Sequence, residues 1–164
     1  ADYSEFTLGE AVTLELSADY TDSNIKKVEN LNFNCDYGSI KIDKVRNVIG
    51  RGDYLATKLG LVYGSVELGM DYGSLSIEKI MKNATKIDIS SDYTGIKIGY
   101  DIDSPFRFRI DTSYGNIKGI EEQGFEVNKR HEEIGEEYIA GYFRQDSGTQ
   151  VNISSSYGNV TFNN

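Results

Sequence analysis

Leu31, Phe33, Cys35 and Tyr37 alternate with Asn32, Asn34 and Asp36. An apolar side chain at every second position is the signature of a half-buried strand. Gly38 interrupts the pattern, and Ile40 and Ile42 resume it around Lys41. The same alternation precedes Tyr93 at Ile87-Asp88-Ile89, Tyr114 at Phe106-Arg107-Phe108-Arg109-Ile110, and Tyr157 at Val151-Asn152-Ile153. The predicted unit is therefore strand, glycine-mediated bend, strand and short loop. Glycine suits the bend because it adopts positive φ without steric cost, and nearby Asn or Ser can bond the turn backbone. No long 3.6-residue pattern occurs, so little helix is expected.

The unit recurs. Asp36-Tyr37-Gly38-Ser39-Ile40-Lys41-Ile42 is followed by Val62-Tyr63-Gly64-Ser65-Val66-Glu67-Leu68, Asp71-Tyr72-Gly73-Ser74-Leu75-Ser76-Ile77 and Asp92-Tyr93-Thr94-Gly95-Ile96-Lys97-Ile98. Ser113-Tyr114-Gly115-Asn116-Ile117-Lys118 and Ser156-Tyr157-Gly158-Asn159-Val160-Thr161-Phe162 complete the set, with degenerate copies at Asp19-Tyr20 and Asp53-Tyr54. From Tyr20 the main tyrosines advance by 17, 17, 18, 21, 21 and 43 residues. The final step reads as two ordinary steps with one copy lost inside an insertion. Near-constant steps favour a solenoid, in which equivalent strands pair in parallel and equivalent residues form columns, over an antiparallel meander. Columns of Ile, Val and Leu, together with a Tyr column, are expected inside. The open edges of such a stack invite strand pairing unless capped.

Composition narrows the reading. A chain of 164 residues fits one domain, 1–164, large enough to bury a core unaided. Within it, 1–18 is expected as an N-terminal cap, 119–150 as a charged excursion or cap, and 151–164 as the final repeat. The stretch 119–150 crowds Glu121, Glu122, Lys129, Arg130, His131, Glu132, Glu133, Glu136 and Glu137, with a hairpin expected through Phe125-Val127 and Tyr138-Phe143. A net charge of −9 argues against nucleic-acid partners, which require a basic face. No apolar run reaches the length of a membrane-spanning helix. A lone cysteine excludes an internal disulfide and a multi-cysteine zinc site. Ala1, with neither Met nor a signal-like stretch, reads as the start of a processed product.

The Asp/Ser-Tyr-Gly-x-Ile-x-Ile phrase, over about residues 10–164 and including the late charged break and terminal Ser-Ser-Tyr-Gly-Asn-Val-Thr-Phe, resembles the adhesin-type domains of Bacteroidetes. These comprise the auto-transporter adhesin head domain and related domains of unknown function. The resemblance implies an all-β, single-domain right-handed parallel β-helix with a charged loop insertion near the C-terminus. It also implies export to the cell envelope, periplasmic or outer surface, or secretion, and an adhesive role. The family supplies no agreed catalytic or binding residues to transfer.

Candidate chemistry is sparse. Asp19, Asp36, Asp53, Asp71 and Asp92 would form a carboxylate ladder able to attract a cation such as Ca²⁺, but turn-capping by each Asp is the preferred reading. The Tyr column is read as core filling rather than a sugar-stacking face, because alternation puts Tyr37 on the side of Phe33 and Cys35. Arg51-Gly52-Asp53 matches the integrin-recognition tripeptide and is expected at a turn. Cys35 reads as a small buried hydrophobe and His131 as a solitary loop residue. Asn83-Ala84-Thr85, Asn152-Ile153-Ser154 and Asn159-Val160-Thr161 match the glycosylation acceptor pattern without implying use. Asp101, Asp103 and Asp111, with Arg107 and Arg109, have the residue types of a polysaccharide-cleaving site, but read better as a solvated strand face.

No catalytic, cofactor-binding or metal-binding residue is assigned, and no cofactor is expected. The expectation is a non-enzymatic interaction module contacting a surface glycan or a protein ligand. The alternative is a polysaccharide lyase or hydrolase on a β-helix scaffold.

Overall fold

The computed structural model describes residues 2–164, and these contain strands, turns and bends but no helix. In chain order the strands are β1 (Asp2–Asp36), β2 (Gly38–Asp53), β3 (Leu55–Val62), β4 (Ser65–Ile80), β5 (Lys86–Tyr100) and β6 (Phe106–Ser113). They continue with β7 (Ile117–Lys118), β8 (Phe125–Glu133), β9 (Glu136–Phe143), β10 (Thr149–Ser156) and β11 (Val160–Asn163). All belong to one mixed sheet, ordered β1-β2-β3-β4-β5-β10-β6-β9-β8, with β11 between β5 and β7.

Most of the pairing is parallel and in register with the recurring phrase. Ile25 lies beside Ile42, Ile42 beside Leu59, Leu59 beside Ile77, Ile77 beside Ile98, and Ile98 beside Phe162. A second column runs Leu31, Val48, Val66, Ile87, Val151, Phe108. Every member of both columns is buried. Inward-facing apolar residues thus recur at the same register, and each strand covers the flank of the next. Where the columns change size, the sequence compensates: a Cβ on Gly50 would strike the Phe33 ring, so a bulky residue sits beside a vacant one.

The order of strands departs from the order of the chain. Rather than following one another, β5 and β6 are separated by β10, which pairs in parallel with both. The 43-residue step between Tyr114 and Tyr157 is therefore not the scar of a lost copy. After β6 and β7 the chain leaves the stack and returns, inserting its last strands into the gap. The charged stretch forms the hairpin expected there, β8 against β9, and β9 also pairs antiparallel with β6. Eight of the nine β8 residues are exposed, as expected for Glu126, Lys129, Arg130 and Glu132 on an outermost strand.

At the opposite edge, the expected cap 1–18 is part of β1 from Asp2 onward, and residue 1 lies outside the described residues. Phe6, Leu8, Ala11, Leu14 and Leu16 pack against the core but remain partly exposed.

Candidate functional site

Tyr20, Tyr37, Tyr54, Tyr72, Tyr93, Tyr114 and Tyr157 all have φ between 50° and 56°. This left-handed conformation costs an L-residue with a Cβ about 1–2 kcal/mol. It also breaks the rule that successive side chains alternate between faces, which holds only for extended backbone. Tyr37 therefore turns away from Phe33 and Cys35, and the tyrosines expected in the core are 44–64 % exposed. The glycine expected to supply positive φ at the bend does not do so; the tyrosine before it does.

Gly38 and Gly73 serve another purpose. A Cβ on Gly38 would collide with the Thr21 carbonyl, and one on Gly73 with the Leu55 carbonyl. Glycine here lets neighbouring segments close to hydrogen-bonding distance. Tyr37 N–H donates to the Asp53 carbonyl and Tyr54 N–H to the Asp71 carbonyl, both at 2.9 Å, so pairing continues through the bend.

The shared register stacks the rings. In spatial order Tyr20, Tyr37, Tyr54, Tyr72, Tyr93, Tyr157 and Tyr114 have successive centroids 4.7–5.1 Å apart and planes within 8° of parallel. Tyr157 lies between Tyr93 and Tyr114 because β10 lies between β5 and β6. Each inner ring has both faces covered by its neighbours. The ladder therefore presents ring edges, not open faces, and sugar rings have no inner face on which to stack.

A row of carboxylates runs beside the rings. Asp53 lies opposite Asp71 and Asp71 opposite Asp92, after which Ser156 and Ser113 occupy the same position. Asp53 N–H donates to Asp36 Oδ1 at 3.1 Å, tying one segment to the next across the bend. Partial desolvation, then the Asp36 and Asp71 carboxylates, push the Asp53 carboxyl above its ordinary range. Partial desolvation, then neighbouring tyrosines, push the Tyr37 and Tyr72 phenols upward. No group of three metal-ligating side chains gathers among the described residues.

The remaining candidates are dispersed. Arg51-Gly52-Asp53 is not a projecting turn: it lies in β2, with Arg51 beside Gly69 and Asp53 beside Asp71. Gly52 is buried where a Cβ would meet the Cys35 carbonyl and Leu55, so its smallness serves packing. Cys35 is buried, and desolvation pushes its thiol up. His131 contacts Glu133 at 2.9 Å on β8, at the opposite edge of the sheet from β1, which carries Cys35.

The acidic group around β6 forms separate contacts. Asp101 Oδ1 accepts from Asp103 N–H at 3.0 Å, Asp103 meets Arg144 at 3.8 Å, and Arg107 pairs with Asp146 at 2.8 Å. Arg109 and Asp111 stand on the exposed face of β6. A shallow depression over Gly50 and Gly69 does bring Arg51, Glu67 and Asp88 together. Asp88 is already engaged there, by Asn152 Nδ2 at 2.8 Å and Lys86 Nζ at 2.6 Å.

The tyrosine ladder is thus the feature that sequence reasoning identified but placed on the wrong side. A further Asp2-Tyr3 pair stands one 17-residue step before Asp19-Tyr20 and carries the same repeat signal. Comparison with protein-family models, curated proteins and solved structures finds no match to this chain.

Proposed function

We propose that this chain is a non-enzymatic interaction module of adhesin type, acting at the cell envelope or after secretion, with the tyrosine ladder as its contact face. In this reading the parallel stack is a right-handed β-helix and the resemblance to the Bacteroidetes adhesin domains is one of descent. The observation that carries the reading is the exposure of seven tyrosines in a conformation that glycine or asparagine adopts at lower cost. Tyrosine brings to a contact surface a large, rigid, amphipathic group at small entropic cost.

The geometry favours a protein ligand over a glycan. Stacking covers the ring faces, while a line of ring edges, phenol hydroxyls and carboxylates remains. Six spacings of 4.7–5.1 Å make the line roughly 30 Å long, enough to follow an extended segment of a partner.

The test uses fluorescently labelled chain, wild type and a Tyr37→Asn/Tyr72→Asn/Tyr157→Asn variant, on immobilised matrix proteins, glycan arrays and intact cells. Binding that is abolished by protease treatment of the cells, survives periodate, and falls in a variant with an unchanged melting curve supports the reading. Binding confined to glycans, equal binding by the variant, or turnover of a polysaccharide overturns it.

A further inference from the structure

We propose that the ladder is also a site of oxidative cross-linking, where a one-electron oxidant joins neighbouring rings as dityrosine and so staples successive segments of the stack. Three observations lead there. Chemically identical rings lie 4.7–5.1 Å apart and nearly parallel, so an electron hole formed at one ring has a neighbouring phenol within reach along the whole line. The outer parts of the rings are in solvent, accessible to a diffusible oxidant. Competing donors are few: the chain has no Trp, and its one cysteine, Cys35, is buried.

The chemistry balances with one co-reactant, the one-electron oxidant. Each of two adjacent phenols gives one electron to the oxidant and its phenolic proton to water. The two radicals join through ring carbons ortho to the oxygens. The two ortho hydrogens then leave as protons while both oxygens are reprotonated, which restores two phenols. The net loss is two electrons and two protons. A peroxidase working with hydrogen peroxide accepts both and releases two waters. The register directs the product, because each ring's nearest phenols belong to adjacent segments of the same chain.

The experiment exposes the full chain to flash-generated ruthenium(III) polypyridyl with persulfate, then reads dityrosine emission, denaturing gels and linked peptides by mass spectrometry. The expected links join Tyr37 to Tyr54 and Tyr93 to Tyr157 within a monomer, with a yield independent of protein concentration. A Tyr114–Tyr157 link, with no Tyr93–Tyr114 link, is the diagnostic product of the interleaved order. A Tyr37→Phe/Tyr72→Phe/Tyr157→Phe variant keeps the ring stack but replaces every second phenol from Tyr37 to Tyr157, and should lose the Tyr37–Tyr54, Tyr93–Tyr157 and Tyr114–Tyr157 links. Dityrosine found only between chains, links centred on Tyr138 or Tyr142, or full yield in the Phe variant overturns the proposal. The wild-type link map decides the matter even if the variant folds poorly.

Discussion

Two aromatic assemblies occupy this molecule, and they follow different rules. On the outside, seven of the described tyrosines repeat one geometry, with planes within 8° of parallel. Inside, Tyr100, Phe106, Phe108, Phe125, Phe143 and Phe162 meet at angles from 13° to 87° and at 4.8–6.4 Å. The outer rings are placed by backbone register, which assigns each the same position one strand along. The inner rings come from β5, β6, β8, β9 and β11, meet where parallel stack and antiparallel hairpin join, and are oriented by the space they must fill. One repeated parallel stacking is thus imposed from the main chain, whereas the inner pairs mix stacked, tilted and edge contacts, the range aromatic packing takes when side chains decide.

The contrast predicts unequal sensitivity to substitution. Phe106 is buried against five aromatic neighbours, so Phe106→Ala should cost about 3–5 kcal/mol, the usual price of deleting a core phenylalanine, measured by denaturant unfolding. An unchanged midpoint would mean that the hairpin is not packed on the stack. Gly73→Ala, which forces a Cβ onto the Leu55 carbonyl beside the ladder, should cost about 1–3 kcal/mol. The same measurement on Gly95→Ala, where a Cβ meets nothing within 4 Å, serves as its control.

Tyr72→Asn should change stability by less than about 1 kcal/mol. It gives up two ring contacts worth about 0.5–1.5 kcal/mol each, but recovers much of the 1–2 kcal/mol spent holding a tyrosine left-handed. A loss as large as that of Phe106→Ala would show that ring stacking, not register, holds the ladder together.

The smallest effect concerns pH. The folded chain holds the Asp53 proton more tightly than the unfolded chain does. Its contribution therefore favours folding when protonated and is lost as pH rises through the elevated value. Asp53→Asn removes that loss, so it should raise the melting temperature slightly at neutral pH and leave it nearly unchanged in acid. An equal shift at both pH values would rule out charge repulsion as the cause.

Much of this organisation was legible in the residues. Period-two alternation marked the strands, and near-equal tyrosine steps pointed to parallel register, because only equivalent positions pair at a constant offset. Two things were not legible. The face on which Tyr37 lies could not follow from alternation, since one left-handed residue reverses the parity of the chain at that point. The place of β10 was hidden for a related reason: segments sharing one phrase offer compatible edges, so periodicity alone does not say which of them a returning strand will join. The enzyme alternative drew on sequence proximity among Asp101, Asp103 and Asp111; in the fold Asp101 and Asp103 share a turn, with Asp103 3.8 Å from Arg144, while Asp111 stands on the exposed face of β6.

The position of β10 also constrains how the molecule can assemble. During synthesis, β5 and β6 are complete and bare before Thr149 has been made. Both edges are parallel and carry matching residues, so they can zip directly onto each other. A chain that does so has closed its sheet one strand too soon. Reaching the native order then requires that junction to reopen and admit the late arrival, a slow step that a chain stacked in simple sequence would never meet.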